Sequence, residues 1–433
     1  MPGVLPASLT WLLVTELNHD VIRTAETPND DRMRGWWETV RLGFHDTRGT
    51  DETFELWRRW TVADEGVLRA AYAPGREHGL PSDWPVGTLY AAPGSINAGK
   101  DPVRATLITD VTVRPTHRRR GILRTMMTAQ LTEAREAGVP LAALTASDAR
   151  IYGRFGFGMS TVQNILEVDT RGFELRHQPA GTVEFADPWQ LGELYDDLNA
   201  RFHQWMPGSV GRLSFHRPLD TGEVTDEGKP NPHRRAALHY DTDGTIDGMV
   251  LFNIDEGGKF SERTATIVDI IFTTWEAYLA LWSFLGSMEL VLSVSWRRGP
   301  VADPLPWAMA DSRGYTVKGR KDFVWTRVLD PIAAFTERGY DRTGQAVIEV
   351  ADPMGFAEGR FRIDATADGA EVTPTSEEPD ATLDPEALGS LYLGGVQTRE
   401  LAAAGRVRGS DDGIDRLAQV MDTERTPYNQ ASF

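Results

Sequence analysis

Three consecutive arginines, Arg118, Arg119 and Arg120, run into Gly121 and then into a segment where Leu123, Met127, Leu131 and Ala134 recur at spacings of four and three. That spacing marks one face of a helix. The first N–H groups of a helix have no partner inside it, and the helix dipole puts partial positive charge there. A glycine at this point lets an anion approach the amides, and flanking guanidiniums add charge. The chemistry on offer is capture of a small polyanion such as a pyrophosphate. A solvated basic turn before a surface helix, or a nucleic-acid patch, uses the same residue types.

Composition weighs between these. The chain has 433 residues, a formal net charge of −18 and no cysteine. Its length calls for two or three domains. The acidic balance argues against nucleic acid as the main partner and favours encounter with cationic ligands. Absence of cysteine excludes disulfides, thiolate metal sites and a cysteine nucleophile. No metal is expected, no apolar run approaches the roughly 20 residues of a membrane helix, and no signal peptide is read at the N-terminus, so a cytoplasmic protein is expected.

The elements that must position the basic turn follow from pattern. Residues 106–113 are a β-type run of Thr, Val and Ile, so strand, turn and helix succeed one another. Upstream, residues 1 to about 40 read as helix, a loop spans 45–53, and short strands are expected at 67–73 and 86–92. Downstream, 141–145 reads as a strand. Ser147 caps a short helix over 148–155 that Gly156 ends, and 162–168 closes the unit as a strand. This is an α+β unit over residues 1–170.

Residues 264–272 resemble 106–113, with Asp269 against Asp110. Where the first copy continues Arg-Pro-Thr-His-Arg-Arg-Arg-Gly, the second has Thr-Thr-Trp-Glu-Ala-Tyr-Leu-Ala. A second unit over 171–328 is expected to keep the scaffold and hold no pyrophosphate; a chance similarity is the alternative. A third domain is expected over 329–433. It opens with a helix capped by Asp330 and continues with strands at 346–350, 359–363 and 371–374 and helices at 388–393 and 398–404.

A second chemical candidate is Tyr152, in Ser147-Asp-Ala-Arg-Ile-Tyr-Gly-Arg-Phe-Gly-Phe157. A phenol with a pKa of about 10 keeps its proton at neutral pH and can give it to a departing anion. Gly153 and Gly156 would leave space beside it. A tyrosine packed on the sheet is the alternative.

The run Arg118-x-x-Gly121-x-Leu123 resembles the coenzyme A pyrophosphate loop of GNAT acetyltransferases, with Leu123 in place of the last small residue of their pattern. Pro-Thr-His-Arg-Arg-Arg-Gly-Ile-Leu-Arg and Ala-Ser-x-x-x-Ile-Tyr-Gly-Arg-Phe-Gly-Phe-Gly are similar to one branch, the enhanced intracellular survival (Eis) N-acetyltransferases. Leu391-Tyr-Leu-Gly-Gly395 and Ala402-Ala-Ala-Gly-Arg-Val407 resemble that branch's C-terminal domain. The resemblance implies two GNAT-type domains followed by a sterol-carrier-like α+β domain, the second GNAT domain being degenerate.

It also implies acetyl-coenzyme A as co-substrate and a small cationic amine, leading among them aminoglycoside-like polyamines, as acceptor. Backbone groups of Val111 and Val113 would pair with the pantetheine arm. Arg118, Arg119, Gly121, Ile122, Leu123 and Arg124 would surround the pyrophosphate, with Arg120 adding charge, and Ser147 would lie beside the coenzyme. Tyr152 would be the general acid. The terminal carboxylate of Phe433 would be the general base, although physics alone reads residues 426–433 as a frayed tail. Direct attack needs no protein nucleophile, and no Ser/His/Asp or Cys/His signature is present. Asp46, Trp57 and Asp110 are the candidates for the acceptor pocket, through carboxylate charge and an indole face; a loop cap, a core aromatic and a carboxylate facing away are their alternatives. A hexamer is expected from the resemblance. Lysine side chains or other small amines are alternative acceptors, and a lipid-binding protein is the alternative from another class.

Overall fold

The computed structural model describes residues 17–255 and 262–433, arranged around three sheets. The first has the order Asn18–Arg23, Val67–Tyr72, Gly87–Asn97, Pro102–Val113, Leu141–Thr145, Val324–Val328, Gly158–Met159. The second has the order Tyr315–Asp322, Val162–Asp169, Val291–Gly299, Arg263–Phe272, Ile246–Asp255, Arg234–Tyr240, Thr182–Ala186. A five-stranded third sheet, from Gly344–Val350 to Val407–Gly409, carries the helices Pro331–Glu337, Pro385–Tyr392, Thr398–Ala403 and Asp411–Met421. Three mixed α+β units are therefore present.

The helix expected over residues 1–40 is corrected in part. Residues 1–16 lie outside the described residues. Asn18–Arg23 is a strand paired antiparallel with Val67–Tyr72, and helix begins only at Arg32. Val21 and Ile22 gain a neighbouring strand there, and that tertiary pairing outweighs a local helical reading.

A second correction concerns residues 162–168. They form a strand, but it does not close the first sheet. Val162–Asp169 lies in the second sheet, antiparallel to both Val291–Gly299 and Tyr315–Asp322. Val324–Val328 makes the reverse journey, between Leu141–Thr145 and Gly158–Met159 of the first. The crossing is fixed at its root, where the N–H groups of Ser160 and Thr161 both donate to Val324 O, at 2.9 and 3.2 Å. Leu166 and Val168 then bury in the second core with Trp282 and Trp296.

The first and third units share one core, which joins Trp36 and Leu107 to Phe335, Ile348 and Tyr392. Their contact is tight. A Cβ on Gly389 would lie 2.2 Å from Thr326 O, and Arg327 is ion-paired to Asp352 at 2.5 Å with both side chains fully buried.

The chain's last residues are not frayed. Residues 427–431 are buried, and Tyr428 N donates to Pro207 O at 2.8 Å. Gln163 Nε2 donates to Asn429 O at 2.7 Å, and Arg298 Nη1 donates to Gln430 O at 3.0 Å. These bonds carry the tail between the first and second sheets. Together these three hydrogen bonds outweigh the chain entropy that a terminus otherwise keeps.

Candidate active site

The site begins with a strand that leaves its neighbour. Pro102–Val113 pairs in parallel with Leu141–Thr145 from Ala105↔Leu141 to Ile108↔Leu144 and no further. On its other side the register with Gly87–Asn97 shifts between Thr88 and Tyr90, and Asp110 takes φ 51°, in the left-handed region. A bulge of this kind bends a strand and re-aims its side chains. The two strands therefore open into a wedge beyond Ile108. Val111 and Val113 line it, packed against the core patch that contains Ile122, Tyr152 and Phe157 and that Leu123 also joins.

At the mouth of the wedge the chain makes a turn at Pro115–His117 and enters the helix Ile122–Glu136 through Gly121 at φ 78°. Arg119 is also left-handed, at φ 63°. A Cβ on Gly121 would meet nothing within 4 Å, so open space lies ahead of the first helical amides. No acid occupies the first turn. Arg118, Arg119, Arg120 and Arg124 are exposed, and among the described residues none of them is ion-paired. The local field is positive: His117 is held below its ordinary value by burial and then by Arg120, Arg114 and Arg76. These features fit a polyphosphate.

Tyr152 is 5% exposed and edge-on to Phe157. Burial raises its phenol, while the Ser147 hydroxyl acts in the opposite sense. A phenol that stays protonated is a donor. Ser147 does not cap the helix as expected. Asp148 does, accepting from Arg150 N at 3.0 Å, and the α-helix is the single turn Ala149–Tyr152. The carboxylate beats the hydroxyl because it makes a charge-assisted bond to the orphan amide.

The two glycines beside Tyr152 also have another role than the sequence suggested. A Cβ on Gly153 would lie 2.7 Å from Glu386 Oε2, and one on Gly156 would lie 2.8 Å from Arg327 Nε and 2.9 Å from Pro385. They admit the third domain, and Gly156 also ends the turn as expected, left-handed at φ 79°.

The acceptor candidates separate. Asp46 and Asp110 come together: burial and then the Asp46 charge push the Asp110 carboxyl up to about 6. Asp46 is exposed, and its N–H donates to Arg41 O at 2.8 Å. Trp57 instead stacks on the buried Trp36, with centroids 5.7 Å apart, and lies 5.9 Å from Phe54. It is half-buried in an aromatic cluster of the core, so only part of its face is free. Among the described residues no group of three His, Asp or Glu could hold a metal ion.

Thr145, the last residue of Leu141–Thr145, donates through Oγ1 to the main-chain oxygen of Phe433 at 3.1 Å. Phe433 is 8% exposed and belongs to the core that Trp57, Phe54 and Phe215 also pack against. His216 Nε2 lies 2.7 Å from Ser432 O. Sequence reasoning missed Thr145, His216 and Arg298. None carries a local motif, since each is defined by contact with residues more than a hundred positions away.

Comparison with known proteins decides the family. The profile of the acetyltransferase (GNAT) domain matches residues 24–160, a second acetyltransferase (GNAT) profile matches 215–332, and that of the sterol carrier protein domain matches 332–430. The N-acetyltransferase Eis of Mycobacterium tuberculosis is 30% identical over 420 residues, covering 94% of this chain and 98% of that protein. This chain is an Eis-family GNAT N-acetyltransferase. An uncharacterized N-acetyltransferase of Streptomyces avermitilis is 33% identical over 347 residues, covering 78% of this chain and 82% of the relative. The crystal structure of Eis1 from Mycobacterium abscessus superposes with a TM-score of 0.79 at 26% identity, over 96% of this chain and all of that one. Membership of the Eis family implies acetyl-coenzyme A as co-substrate. The open helix terminus, its unpaired arginines and the strand wedge agree with that implication.

Proposed function

We propose that the protein transfers the acetyl group of acetyl-coenzyme A to primary amines, with aminoglycoside-like polyamines as the leading acceptors. The supporting observation is the wedge beyond Ile108, with the unpaired arginines at Gly121 at its mouth, Val111 and Val113 packed on the patch that contains Tyr152, and Phe433 bonded to Thr145 where the strands part.

In this reading the helix terminus with Arg118, Arg119, Arg120 and Arg124 holds the pyrophosphate, and the backbone of Val111 and Val113 pairs with the pantetheine arm. Ser147 lies alongside. The neutral amine attacks the thioester carbonyl carbon, a C–N bond forms, and the C–S bond breaks as the tetrahedral adduct collapses. Tyr152 gives its proton to the departing sulfur. The amine's surplus proton passes to the Phe433 carboxylate. A carboxylate with a pKa near 3.5 is a weak base, so it acts on an amine that is already neutral or through one water. Asp110 and Asp46 attract and orient the cationic acceptor, and Trp57 contributes an edge of its ring. We also propose a homo-oligomer, a hexamer by resemblance, which light scattering tests.

Release of free thiol on mixing acetyl-coenzyme A with an aminoglycoside such as tobramycin tests the reading. Amine-dependent release is expected. Release with lysine peptides and not with the aminoglycoside would move the acceptor class to lysine side chains, and no release with any amine would overturn the proposal.

A further inference from the structure

The second sheet repeats the wedge of the first. Arg263–Phe272 pairs in parallel with Val291–Gly299 up to Ile267↔Trp296 and then runs on to Phe272 without a partner on that side. Its register with Ile246–Asp255 shifts between Leu251 and Phe252, next to Asp269, the position matched to Asp110. Ile270 is thus the counterpart of Val111.

This second wedge is filled by the chain's own tail. Gln430 Nε2 donates to Ile270 O at 2.8 Å. Tyr428 lies 6.4 Å from Trp296 and 6.3 Å from Phe202, ring to ring, and its hydroxyl donates to Arg298 O. A primary amide therefore meets the strand at the place where, in the first wedge, an amide of the pantetheine arm is proposed to pair. The carboxylate matched to Asp110 is also committed, since Asp269 pairs with Arg212 at 2.6 Å and is fully buried.

From this slot the tail leaves under restraint. Arg298 is the last cation on the strand beside the wedge. It donates to Gln430 O at 3.0 Å and to Ser432 Oγ at 3.2 Å. His216 holds Ser432 O, and the next residue is Phe433, at Thr145 of the first wedge.

We infer that the second domain has become a receptor for the tail, its coenzyme slot occupied by Tyr428 and the Gln430 amide, and that Arg298 is the positioning residue that sets Phe433 in the first active site. This rests on the reading of Phe433 as proton acceptor. It explains why a degenerate acetyltransferase domain retains the wedge and the bulge although its turn has lost the arginines and the glycine: the same geometry that accepts an amide-bearing arm accepts Gln430.

The test compares Arg298→Ala and Arg298→Lys in the full-length protein. Arg298→Ala should lower kcat about 10- to 100-fold, the effect of displacing a reacting group by about an ångström. The KM for acetyl-coenzyme A and the melting temperature should stay near wild type, and Arg298→Lys should recover part of the rate. Carboxypeptidase digestion followed by mass spectrometry supplies a readout independent of turnover. Phe433 should be protected in the wild type and released from Arg298→Ala. A wild-type kcat in Arg298→Ala, or a loss that tracks melting temperature or coenzyme affinity, would overturn the inference. Wild-type protein that acetylates no amine yet shows the expected protection pattern would reject the proposed function and leave the tail receptor standing.

Discussion

Thr145 and Phe433 are 288 positions apart and share a 3.1 Å hydrogen bond, made where the first wedge opens. The rim of the candidate site is thus built from residues of two different domains. Appending five or more residues after Phe433 should displace that contact and lower kcat about 100-fold, with little change in coenzyme affinity. Steady-state kinetics beside calorimetry check this, and full activity in the extended protein would remove Phe433 from the mechanism.

Tyr152 is buried and protonated, so its loss should act on chemistry and not on binding. Tyr152→Phe should reduce kcat by about 10²- to 10⁴-fold, the usual range for a general acid. Coenzyme dissociation constants should stay within about twofold. A wild-type rate would exclude the phenol as proton donor.

At Gly121 a methyl group would touch nothing in the protein, but φ 78° would strain any other residue by about 1–2 kcal/mol. Gly121→Asp should therefore fold, with a lower melting temperature, and raise the KM for acetyl-coenzyme A at least tenfold by placing a negative charge at the helix terminus. Arg118→Ala with Arg119→Ala should weaken the same step and flatten its dependence on salt. Titration of coenzyme at two ionic strengths measures both effects.

Asp110, pushed up to about 6, binds its proton more tightly in the folded protein than in the unfolded chain. Its contribution to stability is full below about pH 4 and is lost as pH rises through about 6. Acceptor binding has the opposite sense, because attraction of an ammonium needs the carboxylate. The KM for a cationic acceptor should fall as pH rises through about 6, and Asp110→Asn should abolish that inflection. A pH profile unchanged in the variant would exclude Asp110 from the acceptor pocket.

The Arg327–Asp352 pair ties the first sheet to the third domain with both side chains out of solvent. Asp352→Ala leaves a buried guanidinium uncompensated and should cost about 3–5 kcal/mol. Arg327→Met combined with Asp352→Leu should cost less than the single change. Chemical denaturation of the three proteins decides it.

What the sequence carries and what it hides divide along physical lines. The strand, basic turn and helix around Gly121 were legible because each is encoded within a few residues: a run of β-type residues, a glycine and a period near four. Asp330 was legible as a cap for the same reason, and it accepts from Ile332 N at 3.0 Å. The sheet that Val162–Asp169 joins was not legible, since its β-type residues suit either sheet and the choice is made by partners over a hundred positions away. The packing of Gly153 and Gly156 against the third domain was not legible, because a glycine records only that something comes close. Here that something is Glu386, Pro385 and Arg327. The anchoring of Tyr428 and Gln430 has no local signature at all.

The reciprocal exchange of Val162–Asp169 and Val324–Val328 bears on how this molecule can be divided. Each acetyltransferase unit borrows one interior strand from the other, so a cut between residues 170 and 181 would leave both sheets gapped, with raw inner edges. Gene fragments encoding either half alone should yield aggregates, whereas the two halves expressed together should find each other and reassemble. Such a pair would have evolved as one inseparable object, however clearly its sequence reads as a duplication.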